Sequence, residues 1–84
     1  MKVVITGGCG FLGQCLAREI LRRGQLTGPK GLSPVEQIVL ADIAQPQQWV
    51  SDDLNDRRIK VTICDVTDPR TAVQLVDTDD LSVF

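Results

Sequence analysis

The chain has 84 residues, of which 43% are hydrophobic and 24% are charged, and its formal net charge at pH 7 is −2. This acidic chain, with an isoelectric point near 4.8, lacks the basic face of a general nucleic-acid binder, so we predict no nucleic-acid partner. No apolar run in the sequence approaches the roughly 20 residues of a membrane span, and the amino-terminal residues lack the longer apolar region of a signal peptide. We therefore predict no membrane partner.

The three cysteines, Cys9, Cys15 and Cys64, are odd in number and form no C-x-x-C pair. This pattern argues against a disulfide framework or a metal site and favours reduced thiols in the cytoplasm. Cys9 lies close to a predicted helix N-terminus, a position that can lower the pKa of a thiol. The alternative, which we favour, is that Cys9 is a small residue that fits a tight turn.

A strand followed by a helix is predicted at the start of the chain. Lys2–Thr6 contains three consecutive β-branched residues, which is typical of a buried strand in a parallel sheet. From Phe11 to Arg23 the apolar residues recur at helical spacing, and Gly24 is a natural stop. The predicted apolar face of this helix consists of Leu12, Cys15, Leu16 and Ile20.

The turn between this strand and helix is rich in glycine. Gly7, Gly10 and Gly13 read G-x-x-G-x-x-G, while Gly8, Gly10 and Gly13 read G-x-G-x-x-G. The first glycine permits torsions that a Cβ forbids, the next lets the main chain approach a pyrophosphate, and the last lets the helix pack closely. The free N–H groups of the first helical turn then face the phosphates. We predict a nicotinamide dinucleotide site.

The middle of the chain contains one clear strand between two irregular stretches. Residues 25–34 contain three glycine or proline breaks and are predicted to be an inserted surface loop. Gln37–Asp42 is predicted to be a second strand. Residues 44–58 have a weak pattern, in which Trp49 and Val50 form a small anchor. The charged residues of this stretch, predicted to be a solvated face, are Asp52, Asp53, Asp56, Arg57 and Arg58.

Asp42, at the end of the second strand, is the predicted ribose ligand. A carboxylate there can accept hydrogen bonds from both hydroxyls of the adenosine ribose and repels a 2′-phosphate. It follows Gly13 by 29 residues (42 − 13), whereas about 20 is typical, and the loop at 25–34 accounts for the excess. Because no arginine stands beside Asp42, NAD is favoured over NADP.

A third strand is predicted at residues 59–64, with Ile59, Val61 and Ile63 on one face. Asp65 and Val66 follow it, where a short side chain can accept from the adenine amino group and a neighbouring N–H can donate to the ring. The alternative for Asp65 is a turn-stabilising role.

The last third of the chain is predicted to hold a helix and a strand. Asp68 is a good N-cap, Pro69 suits the first helical position, and the helix runs to residue 76. The predicted apolar face of this helix consists of Ala72, Val73 and Val76. An acidic turn at 77–80 precedes a buried strand at 81–84. The predicted fold class is α/β: a Rossmann-type parallel sheet with helices on both faces, in the order β-α-β-β-α-β. Because the chain stops in this strand, we expect one partial domain over residues 1–84.

Residues 6–13 match the T-G-x-x-G-F-[IL]-G signature of the extended short-chain dehydrogenase/reductase superfamily, which includes NAD-dependent epimerases and dehydratases. The strand end at 40–42 and residues 64–68 resemble it too, so the resemblance spans nearly the whole chain. Within the superfamily the chain is most similar to dehydrogenases of sugar acids such as D-erythronate.

The resemblance implies roles for the site residues. Gly7, Gly10, Phe11 and Leu12 line the pyrophosphate, the last two through backbone N–H groups, and Gly13 completes the motif. By the same resemblance Asp42 binds the ribose, and Asp65 with Val66 frames the adenine.

The resemblance also implies an enzyme whose catalytic residues lie outside this chain. The catalytic Ser or Thr and the Tyr-x-x-x-Lys pair of the superfamily cannot be placed here, since the chain has no tyrosine and no histidine. The expected parent is an NAD-dependent dehydrogenase that oxidises a secondary hydroxyl of a sugar acid and forms a homodimer through its carboxyl-terminal part. The alternatives are a sugar-nucleotide epimerase or dehydratase that retains NAD, and a non-catalytic nucleotide-binding module or inert fragment.

Overall fold

The structure is a computed structural model that describes residues 1–29, 31–46, 48–78 and 80–84. In chain order its elements are β1 (Lys2–Thr6), α1 (Phe11–Arg23), β2 (Gln25–Gly28), β3 (Gly31–Pro34), β4 (Gln37–Asp42), a 3-10 helix (Asp52–Leu54), β5 (Ile59–Ile63), α2 (Pro69–Leu75) and β6 (Leu81–Val83). Four of the strands form a parallel sheet in the order β5-β4-β1-β6. The chain therefore moves outwards from β1 to β5 and returns to the other side of β1.

The centre of the sheet is the pair β1 and β4. Val4 lies opposite Val39 and Ile5 opposite Leu40 in the parallel register. All four side chains are buried, and because neighbouring strand residues point to opposite faces, the sheet is covered on both sides. This confirms the strand predicted at each position.

Each face of the sheet has its own apolar cluster. On one face, α1 and the 3-10 helix pack against β1 and β4, and the buried members are Met1, Val3, Ile5, Cys9, Ala17, Ile20, Val35, Ile38, Leu40 and Leu54. On the other face α2 contributes Leu75, which joins Val4, Val39 and Ala41. The connections thus lie on opposite faces of one parallel sheet, which confirms the predicted α/β Rossmann-type architecture.

The ends of α1 agree with the sequence, but its buried face agrees only in part: Ile20 is buried and Leu16 packs against the core cluster, as predicted. Gly24 has a φ of +74° and donates its N–H to the Ile20 carbonyl at 2.9 Å, which is the predicted helix stop. Leu12, predicted to be buried, is 81% exposed. The buried residues of α1 are Gln14, Ala17 and Ile20. The first turn of α1 packs on the glycine turn rather than on the sheet, so the buried stripe starts later than the apolar pattern indicates.

The predicted loop at residues 25–34 is wrong, because β2 and β3 form an antiparallel hairpin; Lys30, in the same predicted loop, lies outside the described residues. β2 pairs with β3, from Gln25 opposite Pro34 to Gly28 opposite Gly31. A φ of +92° at Gly31 is accessible to glycine at little cost and helps the chain to reverse. The hairpin holds the amino end of β1, since the Met1 ammonium donates to the Pro34 carbonyl at 2.8 Å.

The predicted start of α2 is confirmed, and its predicted apolar face is wrong. Asp68 caps the helix by accepting from the Arg70 N–H at 2.9 Å. Val73 and Val76 are exposed, and Leu75 is the residue that the helix buries. With only two turns, α2 touches the sheet through its last turn. In the described ranges, neither α1 nor α2 is long and apolar enough to cross a membrane.

The remaining predictions concern the stretch from 44 to 58 and the end of the chain. Val50 packs partly against the cluster on the α1 face, as expected, and Leu54 is the buried anchor that the sequence analysis missed. Gln47 and Asp79 lie outside the described residues, so the predicted acidic turn at 77–80 is described only in part. The strand at the end of the chain is confirmed as β6, although it is only half-buried.

The anchoring role of Leu54 gives a stability prediction. Leu54 is 2% exposed, so Leu54→Ala leaves a cavity under the 3-10 helix and should lower the free energy of unfolding by about 2–5 kcal/mol. The matched control is Leu32→Ala on the hairpin, where the side chain is 64% exposed and the change should stay within about 0.5 kcal/mol. Urea denaturation followed by circular dichroism measures both. Equal effects of the two substitutions on the free energy of unfolding would contradict the role of Leu54 as a buried anchor.

Candidate functional site

The candidate site lies where β1 and β4 end, at the carboxyl edge of the parallel sheet. The turn after β1 leads into α1, and Asp42 is the last residue of β4. Gly7 donates its backbone N–H to the Ala41 carbonyl at 2.8 Å, which ties the turn to the end of β4. In open α/β sheets this edge is where ligands bind.

The glycine turn is a tight reversal. Gly7 has a φ of +65°, as the sequence predicts for the first glycine, and its carbonyl accepts from the Gly10 N–H at 3.2 Å. A side chain at a positive φ of this kind costs about 1–2 kcal/mol. Gly7 therefore contributes its backbone torsion, because its own N–H already has a partner.

The structure separates two glycines that must lack a Cβ for packing from two at which a Cβ would fit. A Cβ on Gly8 would lie 2.8 Å from the Leu40 Cα, and one on Gly13 would lie 2.6 Å from the Gly7 carbonyl oxygen. A Cβ on Gly7 meets no atom within 4 Å, and one on Gly10 meets only the Gly7 oxygen at 3.5 Å. The outer surface of the turn is therefore open to a ligand at Gly7 and Gly10.

The start of α1 presents free hydrogen-bond donors. Gly10 is its N-cap, in an extended conformation, and provides no side-chain cap. Within the described part of the chain, the backbone N–H groups of Phe11, Leu12 and Gly13 have no acceptor. Phe11 is also 68% exposed. These N–H groups and the positive end of the helix dipole suit an anion.

Asp42 is held against the glycine turn by its carboxylate. Its Oδ2 accepts from the Cys9 backbone N–H at 3.1 Å, and its Oδ1 accepts from the Ile43 backbone N–H at 2.7 Å. The side chain is half-buried, so each oxygen keeps a lone pair for a further donor. The carboxylate thus stands fixed beside the turn and is free to accept hydroxyl groups.

A cleft of about 640 Å³ opens beside Asp42. Its lining residues are Cys9, Gly10, Phe11, Gln14, Asp42, Ala44, Gln45, Gln48, Trp49 and Val50. Among these described residues Asp42 carries the only formal charge. Burial, with the Asp42 carboxylate as a smaller cause, raises the pKa of the Cys9 thiol, so Cys9 is the small turn residue that we favoured and not an activated thiol.

Gln14 is the site residue that the sequence analysis missed. It is 2% exposed, yet its side-chain amide is fully engaged. Nε2 donates to the carbonyls of Cys9 at 2.8 Å and Gln48 at 3.2 Å, and Oε1 accepts from the Val50 N–H at 2.9 Å. Its signal in the sequence is weak: one polar residue directly after Gly13, in a stripe that is otherwise apolar.

Asp65 and Val66 lie apart from this cleft. Asp65 accepts from the backbone N–H of Thr67 at 2.9 Å and from its hydroxyl at 2.6 Å, and these bonds lower the pKa of the carboxyl group. Val66 packs partly against the cluster on the α2 face. The turn-stabilising role of Asp65 is therefore present in the structure, and its predicted role at the adenine stays a prediction.

A glycine turn between β1 and α1, joined to a carboxylate at the end of β4, defines a Rossmann-like domain with the features of a nucleotide-binding edge. The chain belongs to the 3-beta hydroxysteroid dehydrogenase/isomerase family, whose model matches residues 4–84. This match confirms the resemblance that the glycine signature indicated.

One similar protein is D-erythronate dehydrogenase from Cupriavidus necator. It is 40% identical to this chain over 84 residues, which is the whole of this chain and 24% of the relative. The chain therefore spans about a quarter of the length of that relative. No solved structure gives a significant match.

The packing of the turn gives a second stability prediction. In Gly13→Ala the new Cβ meets backbone atoms that cannot move aside, so the free energy of unfolding should fall by about 1–3 kcal/mol. Gly10→Ala, three residues earlier in the same turn, has room for the Cβ and should cost at most about 1 kcal/mol, the scale of a helix N-cap effect. Thermal unfolding of the two variants checks that Gly13→Ala is the less stable one. A Gly13→Ala variant as stable as Gly10→Ala would show that the turn is not closely packed.

Proposed function

We propose that this chain binds the adenosine diphosphate half of NAD and that the protein is an NAD-dependent dehydrogenase acting on a secondary hydroxyl of a sugar acid. The observation that carries the proposal is the hydrogen bond from the Cys9 N–H to Asp42 Oδ2 at 3.1 Å. It places the glycine turn, which suits a pyrophosphate, directly beside the carboxylate, which suits a ribose. A dinucleotide needs these two subsites next to each other.

The turn fits a pyrophosphate on steric and electrostatic grounds. A Cβ on Gly7 would project into open space and one on Gly10 would contact only the Gly7 oxygen, and the absence of side chains there lets phosphate oxygens approach the main chain. In our proposal the N–H groups of Phe11 and Leu12 donate to those oxygens. Gly13 keeps the first turn of α1 close enough to the glycine turn for these donors to converge.

Asp42 fits a ribose with two free hydroxyls. Its oxygens accept from the 2′- and 3′-hydroxyls while keeping their bonds to Cys9 and Ile43. A 2′-phosphate would bring about two negative charges towards this carboxylate, in a cleft whose described lining provides no cation. This charge balance supports NAD over NADP.

The adenine ring is proposed to lie near residues 65–66, which follow the neighbouring strand β5. The Asp65 carboxylate is exposed, and Oδ2 has no partner among the described residues. It can therefore accept from the adenine amino group without breaking the turn that Thr67 closes.

The chemistry itself comes from the cofactor, since bound NAD supplies the acceptor for a hydride. The residues of this chain bind and orient it through the turn, the start of α1 and Asp42. The proposed substrate class follows from the similarity to D-erythronate dehydrogenase. An enzyme that retains NAD and interconverts sugar nucleotides is the competing proposal, since the matched family is named for isomerase as well as dehydrogenase activity.

Cofactor selection gives the third prediction. The 84-residue chain should bind NAD more tightly than NADP in calorimetric titrations. Asp42→Asn should weaken NAD binding about ten- to a hundred-fold, because it loses charge-assisted hydrogen bonds worth about 1.5–3 kcal/mol. The difference in affinity between NAD and NADP should become smaller.

The matched control for this charge removal is Asp53→Asn, which lies on the 3-10 helix and does not line the cleft. It should bind both dinucleotides like the unchanged chain. Equal weakening by the two substitutions, or a preference of the unchanged chain for NADP, would contradict the proposed role of Asp42.

The reaction gives the fourth prediction. The complete product of the gene that encodes this chain should reduce NAD in the presence of D-erythronate, and the rate should be lower with NADP. The absorbance of the reduced nicotinamide measures both rates. Absence of turnover with a panel of four-carbon sugar acids would reject the substrate class. Tightly retained NAD together with conversion of a nucleotide sugar would favour the competing proposal.

A further inference from the structure

We infer that Gln14 is a positioning residue for the adenosine end of the dinucleotide site. Its side-chain amide clamps the glycine turn to residues 48–50 and so holds Trp49 as the outer wall of the cleft beside Asp42. The identity of the ligand rests on the proposed function, whereas the clamp is a feature of the chain itself.

The clamp joins two segments that are far apart in the sequence. One end is the Cys9 carbonyl, in the glycine turn, and the other consists of the Gln48 carbonyl and the Val50 N–H. Trp49 lies between the two bonded residues. One amide group therefore fixes the peptide on both sides of Trp49.

Cys9 connects the clamp to the proposed ribose ligand. Its carbonyl accepts from Gln14 Nε2 at 2.8 Å, and its N–H donates to Asp42 Oδ2 at 3.1 Å. Gln14 and Asp42 thus hold the two polar backbone groups of the same residue. Loss of the Gln14 bond removes one of these two polar contacts of Cys9 and leaves the hydrogen bond to Asp42 as the other.

The burial of Gln14 argues against a role in simple packing. Ala17 and Ile20, the other buried residues of α1, are apolar, and an apolar side chain at position 14 would fill similar space. Such an apolar side chain would leave the carbonyls of Cys9 and Gln48 and the N–H of Val50 without their present partner. A buried polar side chain with every bond made specifies one arrangement of the segments that it joins.

Residues 43–50 need such a fixed point because they contain no helix or strand among their described members. Trp49 is partly exposed and lines the cleft. Its position relative to Asp42 therefore depends on a small number of long-range bonds, of which Gln14 supplies two.

The test uses Gln14→Leu in the 84-residue chain, with Gln74→Leu, on the exposed face of α2, as the matched control. Trp49 is the only tryptophan and the chain has no tyrosine, so intrinsic emission reports on this wall alone. In the absence of ligand, the emission of Gln14→Leu should shift to longer wavelength, since Trp49 leaves the cleft. Circular dichroism gives the fraction of each variant that is folded. The affinity of that folded fraction for NAD should weaken on the order of tenfold, equivalent to about 1.4 kcal/mol.

A second variant, Gln14→Glu, separates positioning from general destabilisation. Its carboxylate would face the Cys9 and Gln48 carbonyl oxygens, so burial and these acceptors raise its folded pKa above the unfolded value of about 4.3. Because the folded pKa is raised, the charged glutamate destabilises the folded site. This destabilisation grows as the pH rises and the side chain loses its proton. The protonated acid can donate to one carbonyl and accept from Val50. The NAD affinity of Gln14→Glu, relative to the unchanged chain, should therefore recover as the pH falls from about 8 towards 5.5.

The outcomes are distinguishable. If the unchanged chain binds NAD, and Gln14→Leu binds it equally with unchanged Trp49 emission, the positioning role is overturned. A pH-independent affinity ratio for Gln14→Glu also overturns it. If the unchanged chain binds no NAD, the proposed function fails and the positioning role fails with it, while a shift in Trp49 emission would still establish the clamp.

Discussion

The structure depends on close backbone contact between the glycine turn and the end of β4. A Cβ on Gly8 would overlap the Leu40 Cα, and a Cβ on Gly13 would overlap the Gly7 carbonyl oxygen. Close packing of this kind resists small shifts. It therefore fixes where α1 starts, and through the Cys9 N–H it fixes the Asp42 carboxylate beside the turn.

The glycines consequently divide into two groups with different tasks. Gly8 and Gly13 serve packing, while Gly7 and Gly10 leave the outer surface of the turn open. A sequence motif alone does not separate these tasks, because each glycine looks the same in it. The separation matters for function, since only an open surface next to free N–H groups can receive phosphate oxygens.

Local signals predicted the parts of the fold that depend on local chemistry. The β-branched run of β1, the cap at Asp68 and the stop at Gly24 each act through neighbouring atoms, and each was predicted. The hairpin formed by β2 and β3 was missed because glycine and proline interrupt this stretch. Its stability comes from strand pairing, from Leu26 packing on the core and from the contact of Pro34 with Met1. Leu12 was wrongly assigned to the buried face of α1, whereas Ile20 was assigned correctly, because the first turn of the helix packs on the glycine turn through Gly13.

Gln14 shows why part of the site lies beyond pattern reading. Helical periodicity assigns a polar residue to the solvent, and glutamine in a first helical turn carries no motif. Its role arises from three backbone partners, at Cys9, Gln48 and Val50, of which two are more than 30 positions away. The irregular course of the described residues at 43–46 and 48–50 explains why a buried amide is useful there: a segment without its own hydrogen-bond ladder needs partners from elsewhere. Side-chain clamps of this type are visible only once the fold has brought their partners together.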